Sequence, residues 1–142
     1  MAADAGDVSV LALLDLSSAF DTVDHTILLI RLRSSHHIGG VLVDWFESYL
    51  RERYKSVIYS GLLSPPVLHE HGVLQCSVLG PLLFVMYTAE IPHLVSDHGL
   101  LCVCYADDTQ FYFHIKQDKI PVAKVMLEEC IQQKCIHYMV VK

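Results

Sequence analysis

Leu101-Cys102-Val103-Cys104-Tyr105-Ala106-Asp107-Asp108-Thr109-Gln110-Phe111-Tyr112-Phe113 is the stretch on which the fold of this chain turns. It reads as two apolar strands that meet at a tight turn, with two adjacent carboxylates at the tip. Carboxylates ~4 Å apart repel by roughly 4 kcal/mol at an effective dielectric of 20, so the pair calls for a cation or a proton. A second apolar run, Val8–Leu14, ends in Asp15. Its length and lack of helical phase suit a strand buried on both faces, although its Ala and Leu leave a helix open. If the two strand systems are neighbours in one sheet, Asp15, Asp107 and Asp108 converge at one edge. The alternative is that Asp15 caps a turn and the pair is a solvated hairpin tip. Spacing alone leaves both readings open.

Outward from these strands, the chain alternates helix and turn signals. After a turn-like segment, Leu16–Asp21, Asp24 stands where an N-cap belongs, ahead of a helix over His25–Arg33 that Gly39-Gly40 stops. Leu42, Trp45, Phe46, Tyr49 and Leu50 recur at the spacing of one buried face and predict a helix over Val41–Arg53. A hairpin follows, with strands Tyr54–Tyr59 and Val67–His71 about a turn at Gly61–Pro66. The loop Gly72–Ser77 leads into a helix over Leu79–Leu94 with Pro81 in its first turn. Strands Leu100–Tyr105 and Thr109–Ile115 make the carboxylate hairpin, and a last helix is expected over Lys119–Val141. No repeat or low-complexity linker is visible, so a single domain is expected over residues 1–142.

Composition narrows the class. A chain of 142 residues with 53% hydrophobic and 18% charged residues is no disordered segment, and it can bury ~65–70% of its unfolded surface. So much apolar content predicts exposed apolar surface and self-association through it. A net charge of −6 with only ten Lys and Arg argues against general affinity for nucleic acid, although Arg51, Arg53 and Lys55 cluster. These three read either as a solvated helix end or as contacts to a phosphate backbone. Five cysteines form no disulfide framework, and Cys102-x-Cys104 with Cys130 and Cys135 lacks the spacing of a zinc site, so buried small hydrophobes are expected. With no basic region ahead of an apolar run and no run long enough to span a bilayer, an intracellular chain, cytoplasmic or nuclear, with no membrane partner is expected.

Three blocks then occur in order: Asp15-Leu16-Ser17-Ser18-Ala19-Phe20-Asp21-Thr22-Val23-Asp24-His25, Gly72-Val73-Leu74-Gln75-Cys76-Ser77-Val78-Leu79-Gly80-Pro81-Leu82-Leu83-Phe84, and Tyr105-Ala106-Asp107-Asp108-Thr109-Gln110. With Trp45-Phe46-Glu47-Ser48-Tyr49-Leu50-Arg51 between the first two, the chain from Val10 to Phe113 resembles the palm of reverse transcriptases from LINE-type, non-long-terminal-repeat retrotransposons. The resemblance implies an α+β fold, a polymerase palm-like antiparallel sheet with packed helices, and an RNA-directed DNA polymerase working by two-metal nucleotidyl transfer. Mg²⁺ or Mn²⁺, two ions, would be the cofactor, and hard carboxylate oxygens suit both. RNA template, DNA primer and dNTPs would be the partners.

Carried over position by position, Asp15 would be the first metal ligand, assisted by the backbone carbonyl of Leu16. Asp107 would be the second, and Asp108 the carboxylate that supports it. Phe20 matches the aromatic gate beneath the sugar of the incoming nucleotide, although core packing alone would also explain it. Gln75 would lie against the nucleotide or template, and Tyr105 near the primer. Two positions depart from the family's pattern: Leu74 stands for its proline and Cys76 for its second glycine. A Cβ forced into a glycine-only conformation costs ~1–2 kcal/mol. Only seven residues precede Val8 and the chain ends at Lys142, so a palm without fingers and thumb is expected. The rival reading is a non-catalytic relic of a retroelement, at most an interaction module.

Overall fold

Alternation along one strand organises the sheet. From Asp108 to Lys116, Thr109, Phe111 and Phe113 are buried, while Asp108, Gln110 and His114 face solvent. A strand of this kind needs cover on one side only. The computed structural model describes residues 7–15 and 18–131. Its Cα framework divides into two compact units, one formed by Met1–Ala19 with Thr88–Lys142 and the other by Phe20–Tyr87.

The first unit holds a three-stranded antiparallel sheet. Strand β1 (Asp7–Asp15) pairs with β7 (Asp108–Lys116), and β7 pairs on its other side with β6 (Leu101–Tyr105), so β7 is central. Helices α4 (Ile91–Ser96) and α5 (Ile120–Cys130) contribute Ile91, Val95, Ala123 and Cys130 to a core around Phe111 and Phe113. Each buried phenylalanine contributes ~2–3 kcal/mol through removal of its apolar area from water. The opposite face carries Leu11 and Leu13, 59% and 68% exposed, beside Leu101 and Val103. The expectation that β1 is buried on both faces is therefore corrected. Its sheet is antiparallel and covered by helices on one face, so an unbroken apolar run sits half in the open.

The second unit is helical with short hairpins. Asp24 caps α1 (His25–Ser34) by accepting a hydrogen bond from the Ile27 amide at 2.9 Å, as an N-cap carboxylate should. Helix α2 (Val41–Leu50) starts after Gly40 at φ +60° and stops at Leu50, three residues short of the predicted end. The predicted two-strand hairpin is instead a nested pair. Strands β2 (Tyr54–Lys55) and β5 (Val67–Leu68) form the outer ladder, and β3 (Ile58–Tyr59) and β4 (Leu62–Leu63) the inner one. Ser60 and Gly61, both at positive φ, turn the inner hairpin, so Leu62 and Leu63 belong to a strand rather than to the turn assigned them. Arg31 is buried, donates to the carbonyl of Tyr87, and lies 4.5 Å from the centre of the Tyr87 ring.

The helix expected over Leu79–Leu94 is two helices, α3 (Gly80–Thr88) and α4. Pro92 explains the break: it lacks the amide that would bond the Thr88 carbonyl, and its ring collides with that turn. The predicted helix over Lys119–Val141 is found as α5 up to Cys130; its remainder lies outside the described residues. Among the described residues, no helix is long and apolar enough to cross a membrane.

Candidate functional site

Register brings the carboxylate-bearing strand ends together. In the antiparallel ladder Asp15 stands opposite Asp108, and Asp108 stands opposite Tyr105 on the far side. Asp15, Asp108 and Tyr105 thus form the terminal row of the sheet. The turn between β6 and β7 consists of Ala106 and Asp107, so Asp107 is its last residue and Asp108 already belongs to the strand. Asp107 is half-buried and Asp108 exposed, while Tyr105 is 79% exposed. The side chain of Asp15, and Leu16 altogether, lie outside the described residues. No group of three or more His, Cys, Asp or Glu side chains gathers into a metal cage among the described residues.

Ala106 occupies φ +53°, the left-handed region. A residue with a Cβ there costs ~1–2 kcal/mol, and the paired strands on both sides hold it in place. The tightness of this two-residue connection sets Tyr105 opposite Asp108, while the β1–β7 ladder separately sets Asp15 there. A looser turn would let the register slip.

The segment bearing Gln75 is built differently, and within the helical unit. Gly72, at φ +94°, donates its amide to the Val23 carbonyl at 2.7 Å, and a Cβ on it would stand 2.8 Å from the Asp21 Cα. Val73 donates to the Phe20 carbonyl at 2.7 Å, and His25 Nε2 donates to the Gly72 carbonyl at 2.8 Å. At the other end, Ser77 Oγ donates to the Leu74 carbonyl at 2.7 Å and accepts from the Gly80 amide at 2.9 Å, capping α3. A Cβ on Gly80 would overlap the Leu74 carbonyl oxygen. Gln75 and Cys76 are exposed between these anchors and line an open cleft with Asp21. Cys76 is not among the residues with positive φ, so the strain expected of its Cβ is absent. Phe20 sits in a 3-10 turn, Ala19–Thr22, with its ring stacked on Phe84 at 4.6 Å and 20°.

Of the predicted residues, Asp15, Asp107, Asp108 and Tyr105 come together at one end of the sheet, whereas Phe20 and Gln75 belong to the other compact unit. Ser77 and Gly80 hold the Gln75 segment, a role that the sequence reading of the second block does not contain. Their signal was a serine three residues before a glycine that opens a helix. The cysteines divide. Cys130 is buried as expected, but Cys104 is exposed, and Cys102 Sγ and Cys104 Sγ lie 3.4 Å apart on one face of β6. Cys135 lies outside the described residues.

Comparison with known proteins adds to this geometry. A family described as "Reverse transcriptase (RNA-dependent DNA polymerase)" matches residues 1–138. A probable RNA-directed DNA polymerase from transposon BS of Drosophila melanogaster is 35% identical over 102 residues. The RNA-directed DNA polymerase from mobile element jockey of Drosophila funebris is 37% identical over 100 residues, and that of Drosophila melanogaster 36% over 103. These alignments take in 67%, 67% and 69% of this chain but 11% of each relative.

Proposed function

The chain belongs to the reverse transcriptase family, and from that premise we propose that residues 1–142 are one partial, palm-like polymerase domain that adds dNTPs to a DNA primer on an RNA template. The single observation that carries this reading is the ladder register that sets Asp15 opposite Asp108, one residue from Asp107. The donor set fits divalent magnesium or manganese: carboxylate oxygens at a strand end beside a strained, fixed turn suit a hard cation that keeps some of its water. Asp15, the Leu16 carbonyl, Asp107 and Asp108 would hold two such ions. When bound, these would neutralise phosphate charge and make the primer hydroxyl easier to deprotonate.

The chain's own residues have three tasks in this reading. The Ala106–Asp107 turn keeps two carboxylates preorganised, so little reorganisation is needed as charge builds up. Phe20, braced by Phe84, presents a rigid apolar surface against the nucleotide sugar. Gln75, on a segment pinned at Gly72 and Ser77, offers amide donor and acceptor groups to the nucleotide or template, and Tyr105 packs near the primer. The relatives are about nine times longer than the stretch aligned here.

Primer extension on poly(A)–oligo(dT) with Mg²⁺ or Mn²⁺ tests the reading. Incorporation is expected and should fall at least ~100-fold in Asp107→Asn, since a metal ligand is lost. A folded chain that incorporates nothing, or an Asp107→Asn chain as active as its parent, would overturn it in favour of the non-catalytic relic.

A further inference from the structure

Two open clefts of the helical unit share a wall. One is lined by His25, Tyr49, Arg53, Tyr54, Lys55 and His69 among others. The second shares Lys55, His69, Val73 and Leu74 with it and continues to Gln75 and Ser77. No carboxylate lines the first, and Asp21 alone lines the second, in a chain whose net charge is −6. The groove is locally cationic against the trend of the whole chain.

The three clustered cations behave differently from one another. Arg51 pairs with Glu47 one helical turn back, and Arg33 Nη2 also approaches Glu47, at 3.9 Å. Arg53 is held by other means: its Nε donates to the Tyr49 carbonyl at 2.7 Å, and its guanidinium lies 4.7 Å from the centre of the Tyr49 ring. That ring stacks in turn on Trp45 at 5.8 Å and 14°. The guanidinium is therefore placed in advance, with no acceptor for its terminal nitrogens among the described residues. Lys55 makes no ion pair among them either. Preorganised charge binds an anion with a smaller loss of side-chain entropy than a free arginine would suffer.

The remaining groups fit the same ligand. Arg53 and Lys55 are two residues apart on extended chain, ~6.6 Å at 3.3 Å per residue, a spacing suited to successive phosphates of a stretched strand. His69 Nε2 is buried and has no partner among the described residues. Tyr54, 63% exposed, lines the same cleft and offers an aromatic side chain to a base. Stacking of this kind needs an unpaired base, which favours a single strand over a duplex.

The geometry points to a phosphodiester subsite for single-stranded nucleic acid, in which Arg53 and Lys55 bind phosphate oxygens, His69 donates a hydrogen bond and Tyr54 stacks on a base. The subsite leads to the Gln75 segment and so rests on the polymerase reading for its purpose, but it is a binding claim with its own test. Fluorescence anisotropy of the full chain with labelled oligo(U) RNA and oligo(dT) DNA measures it, with inorganic pyrophosphate as competitor. Arg53→Gln/Lys55→Gln should weaken both oligonucleotides roughly tenfold and flatten the log–log salt slope by about 1.4, the value for two phosphate contacts on a single strand. Arg51→Gln, already neutralised by Glu47, should change neither.

Absent binding by the parent chain, an unchanged slope in the double variant, or full displacement by equimolar pyrophosphate would each overturn the subsite. A measurement free of mutation is photocrosslinking of bromouridine-substituted oligo(U). Adducts on Tyr54 are expected, and adducts confined to peptides outside residues 49–75 would refute it. Failure of the two readings is separable. Lost incorporation with this binding intact removes the active-site proposal alone, and incorporation with this binding absent removes the subsite alone.

Discussion

The carboxylate hairpin and the Gln75 segment are both tight connections, yet they reach their geometry by opposite means. Between β6 and β7 the turn is dictated from outside. Phe111 and Phe113 are buried beneath α4 and α5, the ladder locks, and Ala106 is driven to φ +53° against its own preference. Between Gly72 and Gly80 the backbone is satisfied from within. Glycines stand where a Cβ would strike the backbone, and Ser77 and the Val23 and Phe20 carbonyls take up local polar groups. One region spends packing energy on strain, and the other avoids strain by composition. A single methyl group should therefore have opposite effects in the two places.

The larger effect is expected in the loop. Gly80→Ala drives a Cβ into the Leu74 carbonyl and against Ser77 Oγ at 3.1 Å, dislodging the cap of α3. The gain in helix propensity, ~1 kcal/mol, does not offset an overlap with backbone, and a net loss of ~2–3 kcal/mol is expected from urea denaturation. A neutral outcome would break the comparison. The reverse change, Ala106→Gly, removes a Cβ from the left-handed region. Relief of ~1–2 kcal/mol, less the entropy added to the unfolded chain, should leave a gain of ~0.5–1 kcal/mol. A loss there would mean that the hairpin does not strain its turn.

The smallest expected effect concerns His69, beside the Gln75 segment. Desolvation pushes its pKa below the usual 6.5, reinforced by Lys55, His25 and His71 and opposed by Asp21. The folded state then resists a proton that the unfolded chain accepts. Stability on this account is complete above about pH 6.5 and declines as the pH drops below that value. Urea midpoints at pH 5, 6 and 7.5 should show the decline, and His69→Gln should flatten it. An equal decline in the variant would assign the effect to other groups.

Much of this was legible in the residues themselves. Asp24 as an N-cap and the β6–β7 hairpin follow from local pattern, because caps, turns and alternation act within a few residues, whereas the pairing of β1 with β7 is a long-range choice that spacing left open. Pro92 carried a readable signal that the apolar run Leu79–Leu94 overrode, since periodicity does not register a missing amide. The nested hairpins were illegible for another reason. Strands of two residues have no period to detect, and the pairing of Tyr54 with Leu68 is a long-range choice.

By itself, then, the sequence determined the family, the order of the blocks and which carboxylates end apolar strands, because these depend on residue identity and spacing. Tertiary structure decided which face of β1 stays exposed, that Asp15 registers with Asp108, and that Cys76 carries no left-handed strain. It also decided that Arg51 is neutralised while Arg53 is held ready on Tyr49. Each of these is set by a neighbour remote along the chain or by how the backbone closes. Residue type alone does not encode which partner an ion or a strand edge will meet.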